Sequence, residues 1–436
     1  MATYLSLSEE DRRRMLDTIG IASERDLYRD VPEDLYLNEA PNLPSGKSEM
    51  EVLKQMKGFA AKNRVFSTVL RGAGAYRHYI PQIVSEVIGK ETFLTAYTPY
   101  QAEISQGILQ SIFEYQTMIC ELTGMTVANA SVYDGATAAA EAAAMCRDRK
   151  RSKVLVSELA HPDVLAVMKT YAWAAGCELV LVPAKDGKTD AEALKELVDE
   201  KTAGVLVQQP NFYGMIEDAE VLGEIAHEAG AKYIMSVNPI AAAVLKTPAD
   251  CGADIVVGEG QPLGMPLSWG GPYLGFMATG KDLMRKLPGR IVGETVDSEG
   301  RRAFVLTLQA REQHIKREKA GSNICSNEAL CAMAAAVYCA AMGPQGIQNA
   351  ANSSAAKAHY LAEKLEEIGY KKAYTGEFFH EFVTEAPKGA KAALEALKKA
   401  DILGGLALDE NHILWCATEM VSKEELDGAV AVLKEV

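Results

Sequence analysis

The stretch that decides the fold is residues 254–272, DIVVGEGQPLGMPLSWGGP. It begins with a β-branched run, Ile255-Val256-Val257, which predicts a short buried strand of a parallel sheet. The strand leads into a loop that contains five glycines and three prolines. This composition predicts a rigid loop whose backbone closely approaches another part of the molecule.

The glycine spacing in this loop, Gly258-x-Gly260-x-x-x-Gly264, partly matches a dinucleotide-binding fingerprint. That motif requires a helix that opens directly on the loop. Pro262 and Pro266 prevent such a helix, because proline lacks the backbone N–H and clashes with the preceding turn. The sequence therefore argues against a dinucleotide site here.

Length and composition limit the function classes. The chain has 436 residues, 48% of them hydrophobic, enough for about three domains with sizeable cores at about 150 residues each. Its net charge is −14, and it has no concentrated basic surface. Nucleic acid and anionic membranes attract basic surfaces, so neither is an expected partner.

Cysteine usage and the chain start favour a cytoplasmic protein. The eight cysteines form no C-x-x-C pair and read as reduced core residues, and the seven histidines show no metal-ligand spacing. The first ten residues lack the basic and apolar regions of a signal peptide. The apolar run Ala329–Met342 is shorter than the about 20 residues that a bilayer needs, which favours a buried helix.

Periodicity predicts an α/β fold with a mainly parallel sheet covered by helices. Strand-like and helical segments alternate along most of the chain. Residues 1–124 are predicted to form an N-terminal helical and extended arm, residues 125–343 a large α/β domain and residues 344–436 a small α/β domain. Within the arm, capping boxes at Ser8, Ser23 and Ser48 predict three helix starts. The alternating segments are strands near 153–156, 178–182, 204–208, 232–237 and 254–257, and helices near 161–175, 190–200 and 217–229.

Several polar residues follow the predicted strands, where ligands of such folds gather. The loop at 129–137 meets an alanine-rich helix and suits either a phosphate group or ordinary helix-start chemistry. His161 opens a helix, and Asn238 follows a strand. Tyr97 and Tyr100 lie in a long segment rich in Tyr, Gly and Pro, and they are either functional or half-buried packing residues. Residues 304–323 read as a charged, solvated helix and a turn.

Three segments carry a resemblance to a known family. They are GAGAY at 72–76, AYTPYQAEISQG at 96–107, and residues 304–327. Together with residues 254–272 they resemble the pyridoxal-phosphate enzymes of fold type I, and among these the P-protein family of the glycine cleavage system. Gly321 departs from the family pattern, where a hydroxyl residue is expected. The resemblance covers essentially the whole chain and implies the fold type I transferase architecture, with a seven-stranded type of sheet.

The resemblance also reveals a missing residue. In this family the turn after the strand carries the lysine that links the cofactor, and Gln261 stands at the matching place. An amide cannot form an imine. Asn238 lies near the place of an acid that pairs with the ring nitrogen of the cofactor. The positions that would form the cofactor cradle, here vestigial, are Gly135, Thr137, His161, Asn238 and Gln261.

The resemblance implies a role in a heteromer. The chain looks like the lysine-free subunit of a split glycine dehydrogenase (decarboxylating), with two copies of each subunit. Pyridoxal phosphate would be held by subunit 2, and glycine and the lipoyl arm of H-protein would be the other partners. The residues expected to complete the shared site are Tyr97, Tyr100, Gln101, Glu103, Arg311 and Asn323.

Two alternatives remain open from the sequence. The chain could be an autonomous pyridoxal-phosphate lyase or transferase that uses an unconventional lysine such as Lys246. It could instead be a catalytically silent scaffold or regulatory subunit.

Overall fold

The computed structural model describes residues 7–37, 39–322, 324 and 327–436. The chain divides into two compact units, Met1–Val65 and Phe66–Val436. The three-part division expected from the sequence stays a prediction. The strands are β1 Thr68–Val69, β2 Val127–Ala128, β3 Lys153–Ser157, β4 Leu179–Val182, β5 Ala184–Lys185, β6 Lys188–Thr189, β7 Thr202–Gln209, β8 Lys232–Val237, β9 Ile255–Glu259, β10 Gly275–Thr279, β11 Val292–Val296, β12 Arg302–Leu306, β13 Glu381–Glu385, β14 Ile402–Leu403, β15 Leu406–Ala407 and β16 His412–Cys416.

The helices alternate with these strands through most of the second unit. They are α1 Glu9–Ile19, α2 Glu49–Ala60, α3 Gln82–Ile88, α4 Glu91–Leu94, α5 Gln106–Thr123, α6 Gly135–Cys146, α7 Pro162–Ala175, α8 Ala191–Leu197, α9 Ala219–Glu228, α10 Gln313–Lys316, α11 Ala329–Glu367, α12 Ala390–Lys399 and α13 Lys423–Lys434.

The first unit is a pair of capped helices with a connector. Ser8 and Ser48 cap α1 and α2 through the predicted capping boxes, whereas the box at Ser23 starts only a short 3-10 turn. Among the described residues of this unit none is buried. Several of its apolar side chains are exposed, among them Met50 and Phe59 on α2.

The central sheet of the second unit has seven strands in the order β2-β10-β9-β8-β7-β3-β4. Neighbouring strands from β4 to β9 are parallel, and β10 runs antiparallel to both β9 and β2. The predicted fold class, an α/β protein with a mainly parallel sheet, is confirmed.

Both faces of this sheet are buried. Leu155, Val205 and Val256 pack into one hydrophobic core, and their neighbours Val156 and Leu206 pack into a second core on the opposite face. Successive side chains of a strand point to opposite faces, so a strand covered on both sides must be apolar at every position. This explains why the predicted strands read as continuous apolar runs.

The long helix α11 connects the large sheet to the C-terminal elements. By length and composition alone it is one helix in the described chain that could cross a membrane. Its backbone breaks at Gly343, which has φ of +64°, and Pro344 follows. Buried residues lie on both halves, among them Tyr338 and Leu361, so α11 serves as a core helix. The sequence predicts two helices here, near 326–342 and 344–368, and the break at Gly343 agrees with them.

A three-stranded antiparallel sheet, β13-β16-β15, forms the last part of the chain with α12 and α13. Its core is built on Trp415, which is fully buried and donates its indole N–H to the Thr384 hydroxyl at 2.8 Å. The sequence predicts strands near 378–383, 405–408 and 413–417 and helices near 389–400 and 422–435, and the structure confirms these elements to within about three residues.

One expectation is wrong. Residues 304–319 are not a continuous charged helix. Phe304 lies in β12, which pairs with β11 in an antiparallel hairpin, and the following residues form short separate turns, including α10. Phe304 is buried against α5 residues such as Ile108 and Ile112. This packing holds the start of the segment in a strand, although the charged residues that follow favour a helix by themselves.

Candidate functional site

A cavity of about 730 Å³ opens at the carboxyl ends of the central strands. It lies between the loops that follow β7, β8 and β9, the start of α6, and the first residue of β13. Among the described residues that line it, there is no lysine or arginine. Five lining residues carry carboxyl groups: Asp134, Asp163, Glu259, Glu328 and Glu381. The charge of this cavity is therefore unfavourable for an anionic ligand.

Gln261 is a buried structural clamp. Its side chain is 1% exposed. The amide nitrogen Nε2 donates to the carbonyl oxygens of Tyr76 and Met265 at 2.9 and 2.8 Å, and Oε1 accepts from the Tyr76 N–H at 2.9 Å. Both donors and the oxygen are thus used within the chain, and the side chain joins its own loop to the glycine-rich segment at 72–76.

The loop around Gln261 approaches its neighbours as closely as its glycines indicate. A Cβ atom added at Gly258 would lie 2.3 Å from the carbonyl oxygen of Val237 and 2.3 Å from the Phe276 ring. Only the short 3-10 turn Ser268–Gly270 follows β9 before β10. With no α-helix opening on the loop in this described stretch, the dinucleotide fingerprint is excluded.

The start of α6 is capped by two carboxylates. Asp134 accepts a hydrogen bond from the Thr137 N–H at 2.7 Å. Glu259 accepts one from the Gly135 N–H at 2.9 Å. Of the two interpretations of this loop, phosphate cradle or helix start, the contacts fit the helix start. Glu259 was missed at the sequence level, although a charged residue two positions before Gln261, at the end of an apolar strand, was a visible signal.

His161 is the N-cap of α7 and also lines the cavity. Its Nδ1 atom accepts from the Asp163 N–H at 3.1 Å, and Nε2 lies 2.9 Å from the carbonyl oxygen of Ala73. These partners are satisfied together when the ring proton is on Nε2. The edge of the ring packs on Phe212 at a centroid distance of 5.1 Å. His161 thus has the local role of a helix-start residue.

Asn238 also lines the cavity and closes a turn after β8. Its Oδ1 atom accepts from the backbone N–H groups of Ile240 and Ala241 at 2.9 and 3.1 Å. Its buried Nδ2 atom has no hydrogen-bond partner among the described residues. A neutral amide at this place cannot stabilise a positive ring nitrogen as a carboxylate does.

Glu381 links the C-terminal sheet to the glycine-rich segment. Its carboxyl accepts from the Ala73 N–H at 2.6 Å and from the Tyr76 hydroxyl at 2.7 Å. Burial raises the pKa of Glu381 to about 7, although both hydrogen bonds act in the opposite direction. Burial also lowers the pKa of the neighbouring His380 well below its usual value. Neither residue had a sequence signal, because both lie in an ordinary strand-like run.

This pKa predicts a pH-dependent stability that Glu381→Gln removes. In the folded state Glu381 keeps its proton up to about pH 7, whereas in the unfolded chain it loses the proton near pH 4.5. The stabilisation is therefore fully present below about pH 4.5 and is lost as the pH rises through about 7. From about pH 6 to about pH 8 we expect wild type to lose about 1 kcal/mol more free energy of unfolding than E381Q. Urea unfolding at the two pH values measures this. Glu385→Gln, exposed at the other end of β13, is the matched control. Equal pH slopes for wild type and E381Q would contradict the assignment.

Five of the six residues expected to complete a shared site are absent from the described lining of this cavity. Tyr97 is 83% exposed, and Gln101 and Glu103 are exposed beside it. Tyr100 is half-buried, donates its hydroxyl proton to Asn327 Oδ1, and lies under the Arg290 guanidinium, 5.3 Å from the ring centroid. Asn323 is outside the described residues.

Arg311 lies near the same group of residues. Its Nη2 atom donates to the carbonyl oxygen of Gly289 at 2.6 Å, and the neighbouring Glu312 pairs with Arg290 at 3.1 Å. Arg290 therefore connects Tyr100 to the segment that carries Arg311. In the described structure the two subsets of expected site residues form separate groups. Gly135, His161 and Asn238 line the cavity with Gln261 directly behind it, and Tyr100 and Arg311 belong to the second group.

Comparison with known proteins decides the family. Residues 2–433 match the family described as Glycine cleavage system P-protein. This chain belongs to that family. The probable glycine dehydrogenase (decarboxylating) subunit 1 of Lysinibacillus sphaericus is 48% identical over 437 residues, which cover 98% of each chain. A crystal structure of glycine decarboxylase (P-protein) in inhibitor-bound form is 43% identical, with a TM-score of 0.93 and complete coverage of both chains.

The wider fold class is also established. The structure of a C-DES mutant with glycine covalently linked to its pyridoxal-phosphate cofactor is 16% identical, with a TM-score of 0.63 and coverage of 88% of this chain and 98% of the other. At that identity the likeness shows the fold alone. It confirms that this P-protein family member has the fold of the type I pyridoxal-phosphate enzymes.

The residues of this P-protein chain do not fit the cofactor of that fold. Gln261 cannot form the covalent link, and its amide is fully hydrogen-bonded. At the start of α6, the Gly135 amide is taken by Glu259 and the Thr137 amide by Asp134. Among the described lining residues there is also no cation to neutralise a phosphate group.

Lys246 does not supply the missing amine. It pairs with Glu220 on the surface and is absent from the described lining of the cavity. The ion pair also raises the pKa of Lys246, mainly through the hydrogen bond to Glu220. A nucleophilic lysine needs the opposite shift.

Proposed function

We propose that this chain is subunit 1 of a two-subunit glycine dehydrogenase (decarboxylating), the lysine-free partner in a heteromer of the glycine cleavage system. In the assembly, subunit 2 holds pyridoxal phosphate, glycine is decarboxylated there, and the aminomethyl group passes to the lipoyl arm of H-protein. We propose two copies of each subunit and a cytoplasmic location. The cofactor supplies an electron sink for the carbanion left when carbon dioxide departs.

The observation that carries this proposal is the state of Gln261. A side chain that is 1% exposed and makes three hydrogen bonds within the chain is an integral part of the fold. The position is thus built around an amide and has no need of an amine. A chain of this kind depends on another subunit for covalent cofactor chemistry.

The contribution of this chain to the shared site is proposed to come from the group around Tyr100. The ring is held by Arg290, and the hydroxyl oxygen also accepts from the Asn327 N–H at 3.2 Å. Both contacts fix the ring before any partner binds. Arg311 keeps its Nε–H without an acceptor among the described residues. That Nε atom is enclosed by the protein, and it is the half-buried guanidinium as a whole that suits a carboxylate such as that of glycine.

Reconstitution tests this function directly. We expect the purified chain alone to release no labelled carbon dioxide from glycine, with or without added pyridoxal phosphate. A mixture with a lysine-bearing subunit 2 and lipoylated H-protein is expected to release it. Release by the chain alone would overturn the proposal and revive an autonomous lyase, which borohydride reduction and peptide mapping of Lys246 would then examine.

Tyr97→Phe and Tyr100→Phe separate a catalytic contribution from a silent scaffold. If either hydroxyl acts in the transition state of the partner's reaction, its loss slows the reconstituted enzyme by more than about tenfold. Tyr97 is exposed, so Y97F is expected to leave the stability of the chain unchanged. Y100F removes contacts to Asn327 and is expected to reduce the free energy of unfolding by about 1 kcal/mol.

The measurements are the turnover of the reconstituted enzyme, the affinity of the two subunits and the unfolding of each variant. Tyr79→Phe, another exposed tyrosine, is the matched control for Y97F. Normal turnover of both variants with normal subunit affinity would favour the scaffold alternative.

A further inference from the structure

We propose that Glu259 is a built-in substitute for a bound anion, and that it excludes phosphate from this cavity independently of the missing lysine. This inference deepens the proposed function, because the phosphate ester of the cofactor is the anion that the fold would otherwise bind. It assigns Glu259 as a residue that determines ligand specificity.

The contacts of Glu259 are those expected of a bound anion. Its Oε2 atom accepts from the Gly135 N–H at 2.9 Å. Its Oε1 atom accepts from the N–H groups of Gln261 and Leu274 at 2.9 and 3.0 Å. Three convergent backbone amides, one of them at the start of a twelve-residue helix, form an anion-binding arrangement. Here the anion is covalently part of the chain.

The backbone of Glu259 also packs closely against the helix start. A Cβ atom added at Gly135 would lie 2.8 Å from the backbone nitrogen of Glu259 and 2.9 Å from its Cβ atom. Asp134 takes the amide of Thr137, two residues further along the helix, at 2.7 Å. A phosphate group would have to displace Glu259 and approach Asp134. Repulsion between like charges opposes this step.

Glu259 lines the cavity and is only partly buried, so it stays in contact with the solvent of the cavity. Burial raises the pKa of its carboxyl, while the hydrogen bonds from Leu274, Gly135 and Gln261 lower it. The same three amides that would bind phosphate therefore favour the charged form of Glu259.

Glu259→Ser tests the inference in the full-length chain. Serine removes the carboxylate and opens space in front of the Gly135 and Leu274 amides. Glu328→Ser is the matched control, because Glu328 lines the same cavity and has a carboxyl group, but its side chain does not bond the start of α6. The probes are inorganic phosphate and pyridoxal phosphate, titrated by calorimetry at low ionic strength and constant pH.

We expect E259S to bind both probes at least about tenfold more tightly than E328S and wild type. Glu259→Ala, which removes both the charge and the group that occupies the three amides, carries the same comparison if E259S does not fold. The inference is overturned if wild type binds phosphate as tightly as these variants do. It is also overturned if neither of the variants, when folded, binds phosphate more tightly than E328S does. Failure here leaves the reconstitution experiment unaffected, since that experiment measures glycine decarboxylation by the two subunits together.

Discussion

Replacing Gln261 by lysine is expected to destabilise the chain by about 3–5 kcal/mol at neutral pH, because it places an unpaired charge in a buried position. The lysine restores the residue type that the family uses for the cofactor, but Tyr76 N–H then faces a second donor in place of Oε1. The carbonyl oxygens of Tyr76 and Met265 can still accept from the ammonium group. They do not supply the negative charge that a buried cation needs.

The pH dependence identifies the cause of this loss. Burial lowers the pKa of a lysine, so the stability difference between wild type and Q261K is largest at low pH and shrinks as the pH rises above that pKa. Gln261→Met removes the same hydrogen bonds without adding a charge. The loss of stability in this variant is expected to be smaller than in Q261K and independent of pH. Urea unfolding at about pH 6 and about pH 9 distinguishes the two. A Q261K chain as stable as wild type at about pH 6 would refute the structural account of Gln261.

Gly214→Ala is expected to destabilise the chain by more than about 3 kcal/mol, from steric overlap added to backbone strain. A Cβ atom at Gly214 would lie 1.9 Å from the carbonyl oxygen of Glu381, and its φ is +82°. The neighbour is backbone and cannot rotate away. Strand β13 would have to shift, and Glu381 with it. We therefore expect the pH dependence assigned to Glu381 to weaken in any G214A protein that still folds.

Gly300→Ala is the matched control for this substitution. Gly300 has φ of +80° but open space around its Cβ position. Alanine there adds only the cost of the left-handed backbone, about 1 kcal/mol. Chemical unfolding of both variants measures the difference. If G214A and G300A lose equal stability, the close approach of Gly214 to β13 has no energetic importance.

The fold was accessible from the sequence because its signals are local. Apolar runs such as Val154–Val156 and Ile255–Val257 are buried on both faces, and an α-helix follows each of the parallel strands β3, β4 and β7 before the next strand of the central sheet. Helix starts and the break at Gly343 also follow from one or two residues. The segment 304–319 was misread because its strand is fixed by pairing with β11 and packing on α5. Both are contacts between distant parts of the chain.

The candidate site was accessible only in part. The absence of a lysine at position 261 is visible in the sequence, and so are the polar residues that follow the strands. The partners of these residues are not. Gln261 bonds Tyr76, 185 positions away, and Glu381 bonds Ala73 across 308 positions. No periodicity or motif records such pairs, so the hydrogen-bonded network around Gln261 and Glu381 is visible only in the folded structure.

The three hydrogen bonds of Gln261 have an evolutionary consequence. Because the amide ties two loops together, a mutation of Gln261 to lysine alone is expected to give a less stable protein than the one it starts from. Glu259 adds a second obstacle to acquiring the coenzyme. A lineage of such chains would then need several simultaneous changes to acquire the coenzyme, and selection for stability would oppose each single step.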